Sequence, residues 1–140
     1  MNTRTALIRR AHGTTLIGKT NSNHWVPMDT SVKGGGEDSA CSPKELLLLA
    51  LGGCTSMDVI GILEKKRAPM RDYELRMTAK LAEEIPHAYT SVHIEYVIYG
   101  KDVKPEDVKH AIELSETKYC SVTAMLRPAI QITSSFTIVD

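Results

Sequence analysis

The stretch Leu46–Leu63, LLLLALGGCTSMDVIGIL, constrains the chain more than any other, because as a helix it is apolar on nearly every face. A surface helix shows one stripe, so a helix of this kind must be covered all round. Its start is marked locally by Ser42 as N-cap, Pro43 at the first helical position and Glu45 three residues after the cap, the reciprocal pattern of a capping box. Lys65-Lys66-Arg67 offers cations to the C-terminal end of the helix dipole, and Pro69 is the expected stop. One sheet in a chain of 140 residues covers one side of such a helix, so the other side is expected to meet a partner subunit. The run is near the length of a bilayer span, but Thr55, Ser56, Asp58 and three glycines make it poor bilayer material.

The segments around this helix read as strands and one further helix. Thr3–Arg9 and Thr14–Thr20 flank the turn signal His12-Gly13 and predict an N-terminal hairpin. From Asn21 to Cys41 the composition shifts to Asn, Ser, Asp and Gly, which predicts a mobile loop around a short segment at Trp25 and Val26. Tyr73, Leu75, Met77, Ala79 and Leu81 alternate with polar residues, and Val92, Ile94, Tyr96 and Ile98 repeat the period of two, predicting an antiparallel pair. Pro105–Leu114 places Val108, Ala111 and Ile112 near one helical face behind an acidic first turn. A last strand follows with Ile130, Ile132, Phe136 and Ile138 on one face. The expected class is α+β, one domain over residues 1–140, with mostly antiparallel pairing and a long buried central helix.

Charge and cysteine usage exclude several functions. Seventeen basic residues cancel seventeen acidic ones, so no strong field draws the chain to nucleic acid or to an anionic membrane. Cys41, Cys54 and Cys120 are odd in number and widely spaced, unlike a disulfide framework or a zinc ribbon. The arginines near the start have no apolar stretch behind them, so no secretory signal is read and a cytoplasmic, reducing setting is expected. The five histidines show no HxxxH or HExxH spacing, and Gly34-Gly35-Gly36 lacks the strand and the Lys-Ser/Thr of a phosphate loop; neither a metal nor a cofactor is expected.

Chemistry is left to the thiols. Gly52-Gly53 directly before Cys54 costs roughly 1 kcal/mol per residue in a helix interior relative to Ala. Either another backbone packs closely there or the missing side chains leave a path to the sulfur; an inert, buried thiol is the simpler account on this ground alone. Cys120, in Lys118-Tyr119-Cys120-Ser121-Val122, stands where a short further turn through Leu126 begins, and a helix N-terminus and Lys118 could each lower a thiol pKa. Asp58 within the apolar helix needs a partner and reads as a polar residue near an interface before it reads as an acid catalyst.

Ser42-Pro43-Lys44-Glu45-Leu46, Gly52-Gly53-Cys54-Thr55 and Glu116-Thr117-Lys118-Tyr119-Cys120-Ser121-Val122, with the closing strand and the order of elements, together resemble the OsmC/Ohr family of osmotically induced and organic-hydroperoxide-resistance proteins. The resemblance covers essentially the whole chain and is to a less characterised branch of that family. It implies an intertwined homodimer whose long helices pack together, and thiol peroxidase chemistry in which Cys54 holds the peroxidatic position and Cys120 the resolving one. A small organic hydroperoxide would be the substrate and an external dithiol the reductant. Cys41 matches neither position.

Two departures accompany the match. Peroxidases of this family place a Glu directly after the Pro of the cap and an Arg in the N-terminal hairpin loop; here Lys44 follows Pro43, and His12-Gly13-Thr14-Thr15 contains no Arg. Moving the carboxylate one place to Glu45 rotates it by about 100° around the helix, so capping is its expected duty. The competing expectation is a non-catalytic dimer whose interface pocket binds a small apolar or electrophilic molecule.

Overall fold

The computed structural model describes residues Asn2–Asp140. The chain forms two compact units, one through Leu49 and one from Ala50 onward. A single helix, α1 (Pro43–Lys65), begins in the first and continues in the second.

In the first unit β1 (Ala6–His12), β2 (Thr15–Thr20) and β3 (Val26–Met28) form an antiparallel sheet in the order β1-β2-β3. Gly13 closes the hairpin at φ +57°, a conformation that costs a glycine little. The glycine-rich stretch expected as a mobile loop is tied down by Asp29, whose side chain is almost wholly buried. Its carboxylate accepts from the Thr14 and Thr15 hydroxyls at 2.6 and 3.1 Å, from the Ser39 hydroxyl at 2.8 Å, and from the amides of Thr30, Glu37 and Ser39 at 2.8, 3.1 and 3.2 Å. These bonds, the one from Thr14 foremost, hold the carboxyl well below the usual carboxylate range against the opposing effect of burial.

A depressed pKa contributes stability that is fully present above the ordinary carboxylate value of 3.8 and is lost as pH falls through the lower folded value. Asp29→Asn, which turns an acceptor into a donor facing donors, is therefore expected to lower the melting temperature at pH 7. Its deficit relative to the native protein should shrink in strong acid. Fluorescence of Trp25, the sole tryptophan and a residue of this unit, reads the transition.

The start of α1 carries the expected capping box: the Glu45 amide donates to Ser42 Oγ at 3.2 Å and the Ser42 amide donates to Glu45 Oε1 at 3.1 Å. At the other end the stop precedes Pro69. Arg67 adopts φ +57°, with Arg67 N–H donating to Glu64 O and Ala68 N–H to Leu63 O, both at 3.0 Å, the paired bonds of a Schellman motif.

The second unit is built on a sheet ordered β4-β5-β6, from β4 (Asp72–Leu81), β5 (Tyr89–Tyr99) and β6 (Gln131–Val139). The β4–β5 pair is antiparallel and the β5–β6 pair parallel. The parallel pair requires a crossover, supplied by α2 (Pro105–Leu114), one π-helical turn over Ser115–Tyr119, and α3 (Ser121–Leu126). As the central strand, β5 is the most buried, with Val92, Ile94, Tyr96, Val97 and Ile98 in the core, as are Val108 and Ala111 of α2.

Helix α1 contributes the stripe Leu51, Gly52, Thr55, Val59 and Leu63, spaced to share one face. Gly52 is where it approaches β4: a Cβ there would stand 2.5 Å from Met77 Sδ and 3.0 Å from Leu75 Cδ2, whereas one on Gly53 would meet nothing within 4 Å. The two glycines thus divide the two reasons available for them, close packing at Gly52 and open space at Gly53. Tyr73 of β4 donates its hydroxyl to Ser56 Oγ at 2.9 Å, and burial pushes its pKa up to about 12. The expectation that α1 is covered on every side is not met within one chain: only 28% of its most apolar window is buried, and Leu47, Leu49 and Met57 are exposed. By length and hydropathy α1 also passes for a membrane span. Its packed stripe makes it a core helix of the second unit.

Candidate functional site

Cys54 follows the two glycines on α1, half-buried. Met57, Asp58, Gly61 and Lys65 recur at helical spacing on the same side of α1. With Ile62, Leu114 and Tyr119 they line a cleft of about 440 Å³.

Cys120 arrives from the other side of the crossover. The π turn ends when its amide donates to Ser115 O at 2.8 Å, and Cys120 then leaves the helical conformation at φ −77°, ψ 102° to become the N-cap of α3. Its Sγ accepts the Thr123 amide at 3.4 Å. The buried Thr123 hydroxyl has no well-oriented partner. Cys120 is 3% exposed, and burial is the main reason its thiol pKa is raised; Thr123 opposes the shift, while a side-chain hydrogen bond and the charge of Cys54 add to it.

The fold therefore brings Cys54 and Cys120 together as side-chain partners, both as free thiols. Cys54 is the more accessible, and Cys120 is held in the neutral form. Cys41 is exposed in the first unit, its carbonyl accepting the Asp29 amide at 3.1 Å. Lys118 lies with Nζ 5.2 Å from the centroid of the Tyr119 ring. Glu45 is occupied by its capping box, and its contacts with Ser42 lower its pKa. In the hairpin region His12 faces Glu37 at 3.1 Å. Among the described residues no group of three or more His, Cys, Asp or Glu is placed to hold a metal ion.

Sequence reasoning missed a polar network beside the thiols. Ser115 donates its hydroxyl to Asp58 Oδ2 at 2.9 Å and lies 2.8 Å from Thr55 Oγ1; Thr55 lies 2.7 Å from Tyr96 OH, which donates to Glu116 Oε1 at 3.2 Å. Asp58 thus has a hydroxyl partner from the crossover within its own chain. The sequence signal was faint: Thr55 and Asp58 are two of the three polar residues that follow Cys54 in an apolar run, while Tyr96 reads as one more core position of a strand.

The profile of the OsmC-like protein family matches residues 35–135. Protein YhfA of Escherichia coli K12 is 38% identical over 134 residues, covering 96% of this chain and 97% of its own. A solved structure of a hypothetical protein from Aquifex aeolicus superposes with a TM-score of 0.82 at 30% identity over the full length of both chains. A Legionella pneumophila structure described as an organic hydroperoxide resistance protein OsmC superposes at 0.71 with 12% identity, over 98% of each chain, a likeness of fold.

Proposed function

This chain belongs to the OsmC-like protein family, and from that premise we propose that it is a thiol-dependent reductase of organic hydroperoxides working through Cys54 and Cys120. The observation that carries the reading is the pairing of two free thiols from distant parts of the chain, the accessible one on the α1 face that lines the cleft. Cys54 thiolate attacks the peroxide oxygen, breaking the O–O bond; the sulfur is oxidised to a sulfenic acid, and the alkoxide takes up a proton and leaves as alcohol. Cys120 then attacks the sulfenic sulfur, giving a disulfide and water. An external dithiol returns both sulfurs to thiols by exchange and carries the disulfide away. The name of the Legionella neighbour agrees with this chemistry. Met57, Ile62 and Leu114 give the cleft an apolar wall, which favours an alkyl tail over hydrogen peroxide. An anaerobic assay comparing cumene hydroperoxide with hydrogen peroxide, under dithiol and under monothiol, tests the proposal; absence of dithiol-driven turnover overturns it.

The three free thiols suit a reducing cytoplasm, and the open apolar faces of α1 suit a homodimer. Such a dimer is expected to bury well above the ~1,600 Å² of a standard interface. Leu49, 59% exposed, supplies the test: Leu49→Asp should shift the protein from dimer toward monomer in light scattering at micromolar concentration. A native protein that is already monomeric contradicts the dimer.

A second reading draws on Glu45, committed to the capping box, and on the hairpin turn without Arg. It makes the protein a dimeric binder of small electrophiles with single-use thiols. Repeated cycles of stoichiometric oxidation and dithiol reduction separate the two: turnover supports the enzyme, and one irreversible modification supports the binder.

A further inference from the structure

We propose that Glu116, Tyr96, Thr55, Ser115 and Asp58 form a buried proton relay that carries a proton from a second cavity, at Glu116, to the cleft lined by Asp58 one helical turn from Cys54, for the alkoxide released when the peroxide bond breaks. The inference rests on the hydroperoxide reductase reading and adds the residues that supply its proton.

Both ends of the chain of hydroxyls open on space. Asp58 lines the cleft on α1, one helical turn beyond Cys54, where residues four apart are neighbours. Glu116 lines a separate cavity of about 350 Å³ with Lys109, Ser134 and Phe136, and also accepts from Ser134 Oγ at 3.4 Å. Between them Tyr96, Thr55 and Ser115 are 0% exposed, so no water competes for their bonds. Four contacts of 2.7–3.2 Å join the five groups without a gap.

Counting protons shows what the chain lacks. Three hydroxyls bring three protons to four links, so with both carboxylates ionised one link has no hydrogen to share. One added proton completes all four and points them in a single direction. A proton arriving at Glu116 passes to Tyr96 as Tyr96 gives its own to Thr55, Thr55 to Ser115, and Ser115 to Asp58, which protonates the alkoxide. No charge separates within the core, and once Asp58 has given up its proton the hydroxyls rotate back to their starting directions. Burial and the neighbouring Glu116 raise the pKa of Tyr96, which keeps it a phenol able to pass a proton. A purely structural network would have been satisfied with apolar residues of the same shape or with balanced donors. This one spans the unit from one cavity to another and ends in an acid at each.

The leaving group distinguishes a relay from a brace. An alkoxide needs a proton to leave; the carboxylate released from a peracid, whose conjugate acid has a pKa of about 4–5, does not. In single-turnover experiments on the full-length reduced protein, Thr55→Val is expected to slow oxidation of Cys54 by cumene hydroperoxide about 100-fold, the scale of general acid catalysis. The same variant should oxidise with peracetic acid within about two-fold of the native rate, and Thr55→Ser, which restores the hydroxyl, should recover the cumene hydroperoxide rate. If Thr55→Val does not fold, Glu116→Gln at the accessible end and Asp58→Asn at the cleft carry the same comparison. Equal slowing with both oxidants, or with neither, overturns the relay. Native protein inert to both oxidants overturns the reductase reading itself, a result that cannot be mistaken for failure of the relay in an active enzyme.

Discussion

Cys54→Ser is expected to abolish the reduction of organic hydroperoxides, leaving only the slow reaction of the external dithiol in buffer. The step needs a polarisable anion that can attack oxygen and then carry it, and a serine hydroxyl supplies neither the charge at neutral pH nor a stable oxidised form. The substitution is gentle on the fold, because Cys54 is half-buried on α1 and contributes nothing to the packed stripe of Leu51, Thr55, Val59 and Leu63. Circular dichroism should therefore match the native protein while peroxide consumption falls to background. Cys41→Ser is the control: Cys41 stands exposed before the cap of α1, outside both proposed redox positions, and its loss should leave turnover intact. Persistent turnover by Cys54→Ser would move the nucleophile to another thiol and end the proposed mechanism.

What the sequence disclosed follows the range of the interactions involved. The capping box at Ser42 and Glu45 was legible because its partners lie three residues apart, and the strand at β4 because its period of two is written along the strand itself. The direction of β6 relative to β5 was not legible, since alternation says which face is buried and nothing about the neighbour. Asp29 could not be read as the organiser of the glycine-rich stretch because Thr14 and Thr15 come to it from the preceding hairpin. The hydroxyl chain is hidden for the same reason: Thr55 meets Tyr96 across 41 residues of sequence and Ser115 across 60. The all-round apolar helix was legible as a feature, but this chain buries one stripe of it and leaves Leu47, Leu49 and Met57 exposed. Residue types announced the thiols; only folding assembled what surrounds them.

Cys120→Ser is expected to consume about one equivalent of hydroperoxide and then stall, with the oxidised sulfur of Cys54 trapped as a sulfenic acid that dimedone labels. The first step needs only Cys54, whereas the second needs a sulfur nucleophile that a serine cannot replace. The fold should tolerate this change unusually well. Cys120 is the N-cap of α3, its sulfur accepting the Thr123 amide, and serine is among the preferred residues at that position. Loss of the helix therefore cannot be offered as the cause of the stall. The native protein adds a second measurement. Because burial raises the Cys120 pKa above its ordinary value of 9.0, the thiolate that resolves the sulfenic acid becomes more abundant as pH rises, and this gain continues beyond pH 9. The disulfide-forming phase should accelerate over that interval in the native protein and be missing at every pH from Cys120→Ser. A variant that keeps turning over with dithiol, or a native resolving phase that slows as pH rises, would show that Cys120 is not the resolving thiol.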